Sequence, residues 1–261
     1  RSVISSMSVH ENDDVLNTTE QQNQNIVLCM KWGTKYGSDY VNRLYNMVKR
    51  HTTVDFKMVC LTDRTDGIDP AVQCFPIPPL ALPEGSPERG WNKLSTFEPD
   101  LYGLKGNALF LDFDVVIVDN IDSFFTHSGD FLIIHDWKRP WRITGNSSVY
   151  RFKLGAFPGL MPYFREHFDE IRQKFRNEQA YLSWYVDQEK KLSYWPDSWC
   201  KSYKYHCLQK IPLAYFKAPV KPEGAKIIVF HGEINPPDAV NGVGGKWYRY
   251  VLPSDWIKEA W

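Results

Sequence analysis

Residues 109–122 read Leu109-Phe110-Leu111-Asp112-Phe113-Asp114-Val115-Val116-Ile117-Val118-Asp119-Asn120-Ile121-Asp122. One apolar run enters the Asp-Phe-Asp tripeptide and a second leaves it. A solvated loop needs neither run, so the first is expected to be a strand buried on both faces. On extended backbone, carboxylates at i and i+2 point to the same side, roughly 6–7 Å apart. Like charges buried that close together cost several kcal/mol unless a cation neutralises them. Oxygen-only ligands select a hard cation, Mg²⁺ or Mn²⁺, and its open positions suit the oxygens of a diphosphate.

The flanking sequence places this tripeptide in an α/β chain. Asn25 to Met30 is a continuous apolar run, as expected of a central parallel strand. Ser38-Asp39 then opens a helix through about Lys49, with Val41, Leu44, Tyr45 and Val48 on one face. Strands are expected at Phe56 to Leu61, Val72 to Ile77, Ala108 to Asp112, Phe131 to Ile134 and Ala225 to Phe230. Helical spacing covers Pro158 to Phe175 and Asn177 to Val186, and the Pro-rich segment from Pro76 to Pro87 is a loop. Strand and helix in alternation give a mostly parallel central sheet flanked by helices. Ligands of such sheets bind beyond the carboxyl ends of the strands. Lys31–Tyr36, Thr62-Asp63 and Asp112–Asp114 all fall at such ends.

The chain has 261 residues, enough for one large α/β domain. Residues 1–25 are polar and cannot bury enough apolar surface to fold, so they are expected to be a disordered stem or tail before a single domain at 26–261. The sequence begins at Arg1, which leads us to expect a longer natural chain with an anchor or signal upstream. Positive and negative side chains balance at 31 each, which disfavours nucleic acid as a partner. No apolar stretch reaches the 18 residues or so that a membrane span requires. Asn17-Thr18-Thr19 and Asn146-Ser147-Ser148 match the glycosylation pattern but arise often by chance, so a secretory lumen and a cytoplasmic or membrane-peripheral location stay open. The five cysteines include no C-x-x-C pair, which argues against zinc. Cys29 and Cys60 read as buried thiols, and Cys200 and Cys207 as a possible pair.

Trp91-Asn92-Lys93-Leu94, the Leu109–Asp114 block and Asp119-Asn120-Ile121-Asp122 together resemble the retaining GT-A glycosyltransferases related to glycogenin and the bacterial lipopolysaccharide galactosyltransferases. Asn146-Ser147-Ser148-Val149, Asp187-Gln188 and His231-Gly232 follow in the family's order, so the likeness covers roughly residues 25–237. The resemblance implies a Rossmann-like GT-A domain whose irregular C-terminal half holds the acceptor. It implies a hexosyltransferase that moves a sugar from a nucleotide donor, in all expectation UDP-linked, to a hydroxyl of a glycan, lipid-linked or protein acceptor, with retention. Asp112, Asp114 and His231 would hold Mn²⁺ or Mg²⁺. Thr34, Tyr36, Asp63, Lys93, Phe113 and Asn146 would line the nucleotide and donor sugar, with Tyr40 competing with Tyr36 for the stacking role. Asp187 would bind donor-sugar hydroxyls at the start of the last catalytic helix, and Gln188 would lie beneath the anomeric carbon. Trp137, Arg139 and Trp141 would meet the acceptor.

Three departures stand out. Ser148 replaces the usual Gly, and Glu233–Pro237 lacks the usual diphosphate-binding lysine, for which Lys246 in a Gly-rich loop is the substitute. The helix after Gln188 is short, with Pro196 close behind. Two other classes remain. A sugar nucleotidyltransferase would need an early basic Gly-rich loop, which Lys31–Lys35 matches poorly. A catalytically inactive nucleotide-sugar-binding module would keep the site without turnover. If the reaction inverts, Asp136 and Asp187 are the candidate bases.

Overall fold

A computed structural model of the chain describes residues 24–85, 90–244, 246 and 250–261. Most of the expected stem lies outside the described residues, and Asn25 opens the first strand.

The first half alternates as its apolar periodicity requires: β1 (Asn25–Lys31), α1 (Ser38–His51), β2 (Lys57–Thr62), β3 (Gln73–Phe75), a 3-10 helix (Trp91–Phe97), β4 (Asn107–Leu111), β5 (Val115–Ile117) and α2 (Asp122–Thr126). The second half carries β6 (Phe131–His135), β7 (Gly145–Lys153), α3 (Leu160–Glu166), α4 (Phe168–Lys174), α5 (Glu178–Gln188), β8 (Leu192–Tyr194), β9 (Cys200–Ser202), a π-helical turn (Tyr203–Cys207), β10 (Ile227–Val229), α6 (Pro236–Asn241) and α7 (Asp255–Ala260).

Seven strands form the main sheet in the order β3-β2-β1-β4-β7-β6-β8. β7 runs antiparallel to both its neighbours, and the other strands run parallel to one another. Alternate residues of β1 face opposite cores, as strand geometry dictates. Val27 and Cys29 pack with α1, β5 and β10, whereas Ile26, Leu28 and Met30 pack with the 3-10 helix, α3, α4 and α5. Helices therefore cover both faces, which is why the central strands read as unbroken apolar runs.

A second sheet of three strands, β5-β10-β9, lies against one face. The apolar run after Asp114 therefore begins a different sheet from the one before Asp112, and residues 112–114 form a turn instead of the expected extended segment. Gly145 opens β7 beside a break in the register with β6. A Cβ there would lie 2.6 Å from Ile133 Cγ2 and 2.8 Å from the Ile134 carbonyl oxygen, so no larger residue fits.

The cysteines are all free thiols. Cys200 opens β9 and Cys207 closes the π-helical turn, and each is buried without a bridge, contrary to the pairing considered from sequence. Burial pushes the Cys207 thiol up to about 12, which leaves it unreactive.

Asp122, the last residue of the Asn-Ile-Asp motif, is a structural latch. Its carboxylate accepts from the Thr52 hydroxyl (2.5 Å), from the Thr53 amide and hydroxyl (2.9 and 2.6 Å) and from the Asn120 amide (2.9 Å). Partial burial alone would raise its pKa, but these donors outweigh that and hold it well below the carboxylate range. The latch ties the end of α1 to the start of α2. A group with a depressed folded-state pKa adds stability above its unfolded value that is lost as pH falls. Asp122→Ala is expected to cost about 1–3 kcal/mol near neutral pH, and the deficit should shrink below about pH 4. Chemical denaturation of both proteins across that pH range checks it.

Candidate active site

The turn between the sheets is pinned from both sides. The Asp112 amide donates to the Ser148 carbonyl on β7 (3.0 Å), and the Phe230 amide donates to the Asp114 carbonyl (2.7 Å). The first bond belongs to the main sheet and the second to the small one. Both carboxylates consequently line one cavity of about 230 Å³, with Phe113, Lys93, Met30, Trp32, Lys35 and Tyr36. They converge through a turn instead of through strand alternation.

The Lys93 ammonium sits 2.5 Å from Asp112 Oδ2 and is itself almost out of solvent. Burial works against that ammonium, but the charges of Asp112 and Glu178 outweigh it and hold the Lys93 pKa above its ordinary value. Asp114 has no such partner. Its Oδ1 is buried and accepts no hydrogen bond from any described residue. Burial, and next the charge of Asp112, push its pKa up to about 7. A buried carboxylate oxygen without a donor is costly, and a bound cation would relieve it.

Opposite the pair stands an aromatic wall. Tyr36 lies 5.6 Å from Phe113 and 4.9 Å from Tyr40 between ring centroids, with Lys35 Nζ 4.8 Å from its ring centre. Tyr36 faces the cavity, and Tyr40 backs it while packing on Trp261. Of the two tyrosines, Tyr36 is the one that lines this cavity. Asp63 lies outside this cavity: its Oδ2 accepts from the Gly33 amide (3.0 Å), so it shapes the loop after β1. Thr34 is exposed on that loop and lines none of the cavities described here.

A second cavity, about 570 Å³, gathers Asn146, Trp137, Arg139 and His231 from the sequence-predicted set. A polar chain joins the two cavities. Lys93 also reaches the Ser147 carbonyl (3.4 Å), the Ser147 hydroxyl donates to Glu178 Oε1 (2.8 Å), and the Ser147 amide donates to Gln179 Oε1 (3.2 Å).

His231 lines the second cavity, one residue past the Phe230 amide that bonds the Asp114 carbonyl. Its Nε2 shares a 2.7 Å hydrogen bond with Ser202 Oγ, and its ring stacks on Trp137 with centroids 5.2 Å apart. Among the described residues no group of three His, Cys, Asp or Glu side chains is placed to hold a metal.

Asp187 and Gln188 lie at the C-terminal end of α5, not at the start of a helix. The residues that open α5 are Glu178 and Gln179, behind Asn177, whose side chain caps the helix through the Ala180 amide (3.2 Å). Asn177 ahead of Glu178-Gln179 was the available sequence signal, since Asn is a preferred N-cap. Trp32, Lys35 and Gln179 are among the cavity residues that sequence reading left out, with Lys138, Arg142, Arg176 and Lys204 in the second cavity. Trp141 is 77% exposed on the loop after β6. Lys246 is exposed and pairs with Glu233 at 3.5 Å.

No family model matches the sequence. No curated protein matches it. Among solved structures, the chain is similar to the galactosyltransferase LgtC, crystallised in complex with donor and acceptor sugar analogues, with a TM-score of 0.55 over 81% of this chain and 88% of that one at 11% identity. The fold is GT-A, with a mixed central sheet flanked by helices, as expected from sequence.

A carboxyl whose folded-state pKa is raised favours the protonated form, so its ionisation costs stability progressively from about pH 4 up to about pH 7. Asp114→Asn in metal-free protein is therefore expected to raise stability at pH 8, by about 1–4 kcal/mol. The gain should vanish near pH 4, and thermal unfolding across that range measures it.

Proposed function

We propose that this chain is a nucleotide-sugar glycosyltransferase that moves a hexose from a UDP-sugar to a hydroxyl acceptor. The observation that carries the reading is the orphaned Asp114 Oδ1 beside Asp112, at the carboxyl end of β4 and facing an aromatic wall. An aromatic ring over a small cavity suits a flat base. The acidic pair suits a hard divalent cation that brings phosphates with it.

The donor set fits Mn²⁺ or Mg²⁺: two carboxylates, all oxygen, one of them without a partner. Asp112 and Asp114 would hold the ion, and substrate oxygens would complete its shell. When bound it would offset charge on the departing diphosphate. His231 would have to leave Ser202 and Trp137 to join, so the reading does not require it as a ligand.

The remaining roles belong to the chain. Tyr36, backed by Phe113 and Tyr40, holds the base; Lys93, anchored on Asp112, faces the donor phosphates or sugar. Asn146 and Gln179 supply amide groups at the mouth of the second cavity, where the sugar would cross to the acceptor. Gln179, at the start of α5, takes the part that the resemblance gave to Gln188. Retention rests on the resemblance; an amide is a poor nucleophile, so a retaining reaction here would run by front-face attack instead of a covalent intermediate. Asp136 lines that cavity, but its Oδ1 already accepts from the Lys138 amide (2.9 Å), which disfavours it as an inverting base. Asp187 lies an α5 length away.

A panel of nucleotide sugars, assayed for released nucleoside diphosphate with and without Mn²⁺, tests the reading. A UDP-sugar is expected to turn over with Mn²⁺. Asp112→Asn and Asp114→Asn should each lower turnover about 100-fold or more. Full activity in both variants would refute the site. UDP-sugar binding without turnover on any acceptor would leave the inactive binding module. Proton NMR of the product's anomeric centre decides retention.

A further inference from the structure

The chain carries equal numbers of acidic and basic side chains, yet its second cavity does not. Lys138, Arg139, Arg142, Arg176 and Lys204 line it, with Asp136 the opposing carboxylate among its described lining residues. Asp136 accepts the Lys138 amide on its own loop and its single charge offsets only part of this excess; none of Arg139, Arg142 and Arg176 forms an ion pair with a described residue. Arg139 and Arg142 leave the two ends of one tight turn, closed by the Arg142 amide on the Arg139 carbonyl (2.9 Å). Arg176 comes from a different element, directly before the N-cap of α5. The fixed positive end of that helix points the same way.

Like charges gathered in one concavity repel one another unless an anion compensates them, and such a pocket concentrates anions from solution. Guanidinium groups brought to one cavity from separate elements are suited to bidentate grips on phosphoryl or carboxylate oxygens. The volume of about 570 Å³ is ample for a substituted sugar. A neutral sugar would leave the repulsion in place.

We propose that the acceptor is an anionic sugar, bearing a phosphoryl or carboxylate group that Arg139, Arg142 and Arg176 bind. The inference rests on the glycosyltransferase reading, since it is the donor at Asp112 and Asp114 that makes the second cavity an acceptor site. Trp137, stacked on His231 and held through its indole N–H by the Cys200 carbonyl (3.0 Å), gives that cavity a rigid aromatic wall for the sugar face.

The test is calorimetry on the full chain with Mn²⁺ and saturating UDP, titrating glucose 6-phosphate, glucuronate and glucose. At least one anionic sugar should bind about ten-fold tighter than glucose or better, and that preference should fade with rising salt. The two anionic arms separate phosphoryl from carboxylate recognition. The triple variant Arg139→Gln/Arg142→Gln/Arg176→Gln, all at exposed positions, should lose the preference while UDP binds as before. Equal affinity for all three sugars would overturn the proposal. So would a matching loss of UDP affinity in the triple variant, which would assign these cations to the donor's diphosphate. Failure of the unaltered chain to bind UDP would strike the underlying reading, and the acceptor assignment would fall with it.

Discussion

Two main-chain hydrogen bonds on a three-residue turn hold the candidate site together. One ties the Asp112 amide to β7 in the large sheet, and the other ties the Asp114 carbonyl to the residue after β10 in the small sheet. The chain must change sheets within Asp112-Phe113-Asp114, and the two sheets pack through a shared core that fixes where it can do so. The carboxylates are thus set by the tertiary structure, with little freedom to separate. Their mutual repulsion is the electrostatic strain that Lys93 relieves at Asp112 through a direct ion pair and that the charges of Lys93 and Lys35 relieve only in part at Asp114.

That strain extends to the second cavity. Lys93 is held by Asp112 and leans on the Ser147 carbonyl; Ser147 in turn contacts both Glu178 and Gln179 at the start of α5. The acidic pair and the second cavity are therefore linked by one continuous polar chain. The antiparallel run of β7 makes this possible, because its first residues lie at the same sheet edge as the carboxyl end of β4.

Much of the fold was legible from residues 25–134. The strands there are buried on both faces, and their unbroken apolar runs announce it. The carboxylate pair was legible for the same reason: charges inside such a run need a purpose. The second half was harder. β10 was expected within Ala225 to Phe230, but β8 and β9 are three residues long, too short for periodicity, and the π-helical turn has no sequence signature. The separate identity of β5 was hidden because a change of sheet leaves no mark on a hydrophobic pattern. Asp187-Gln188 drew attention as a motif, while the physics of the helix start lay ten residues earlier at Asn177. His231 followed an apolar strand as expected, and its ring stacks on Trp137.

The central claim is that Asp112 and Asp114 exist to hold a divalent cation against a nucleotide's phosphates. Electron paramagnetic resonance of Mn²⁺ reads this directly, because the sharp signal of the hydrated ion broadens on binding. Adding the full chain together with UDP should quench that signal with saturation at a single ion per chain, and Asp114→Asn should restore it. An undiminished signal in the presence of chain and UDP, or equal quenching by the variant, would contradict the account.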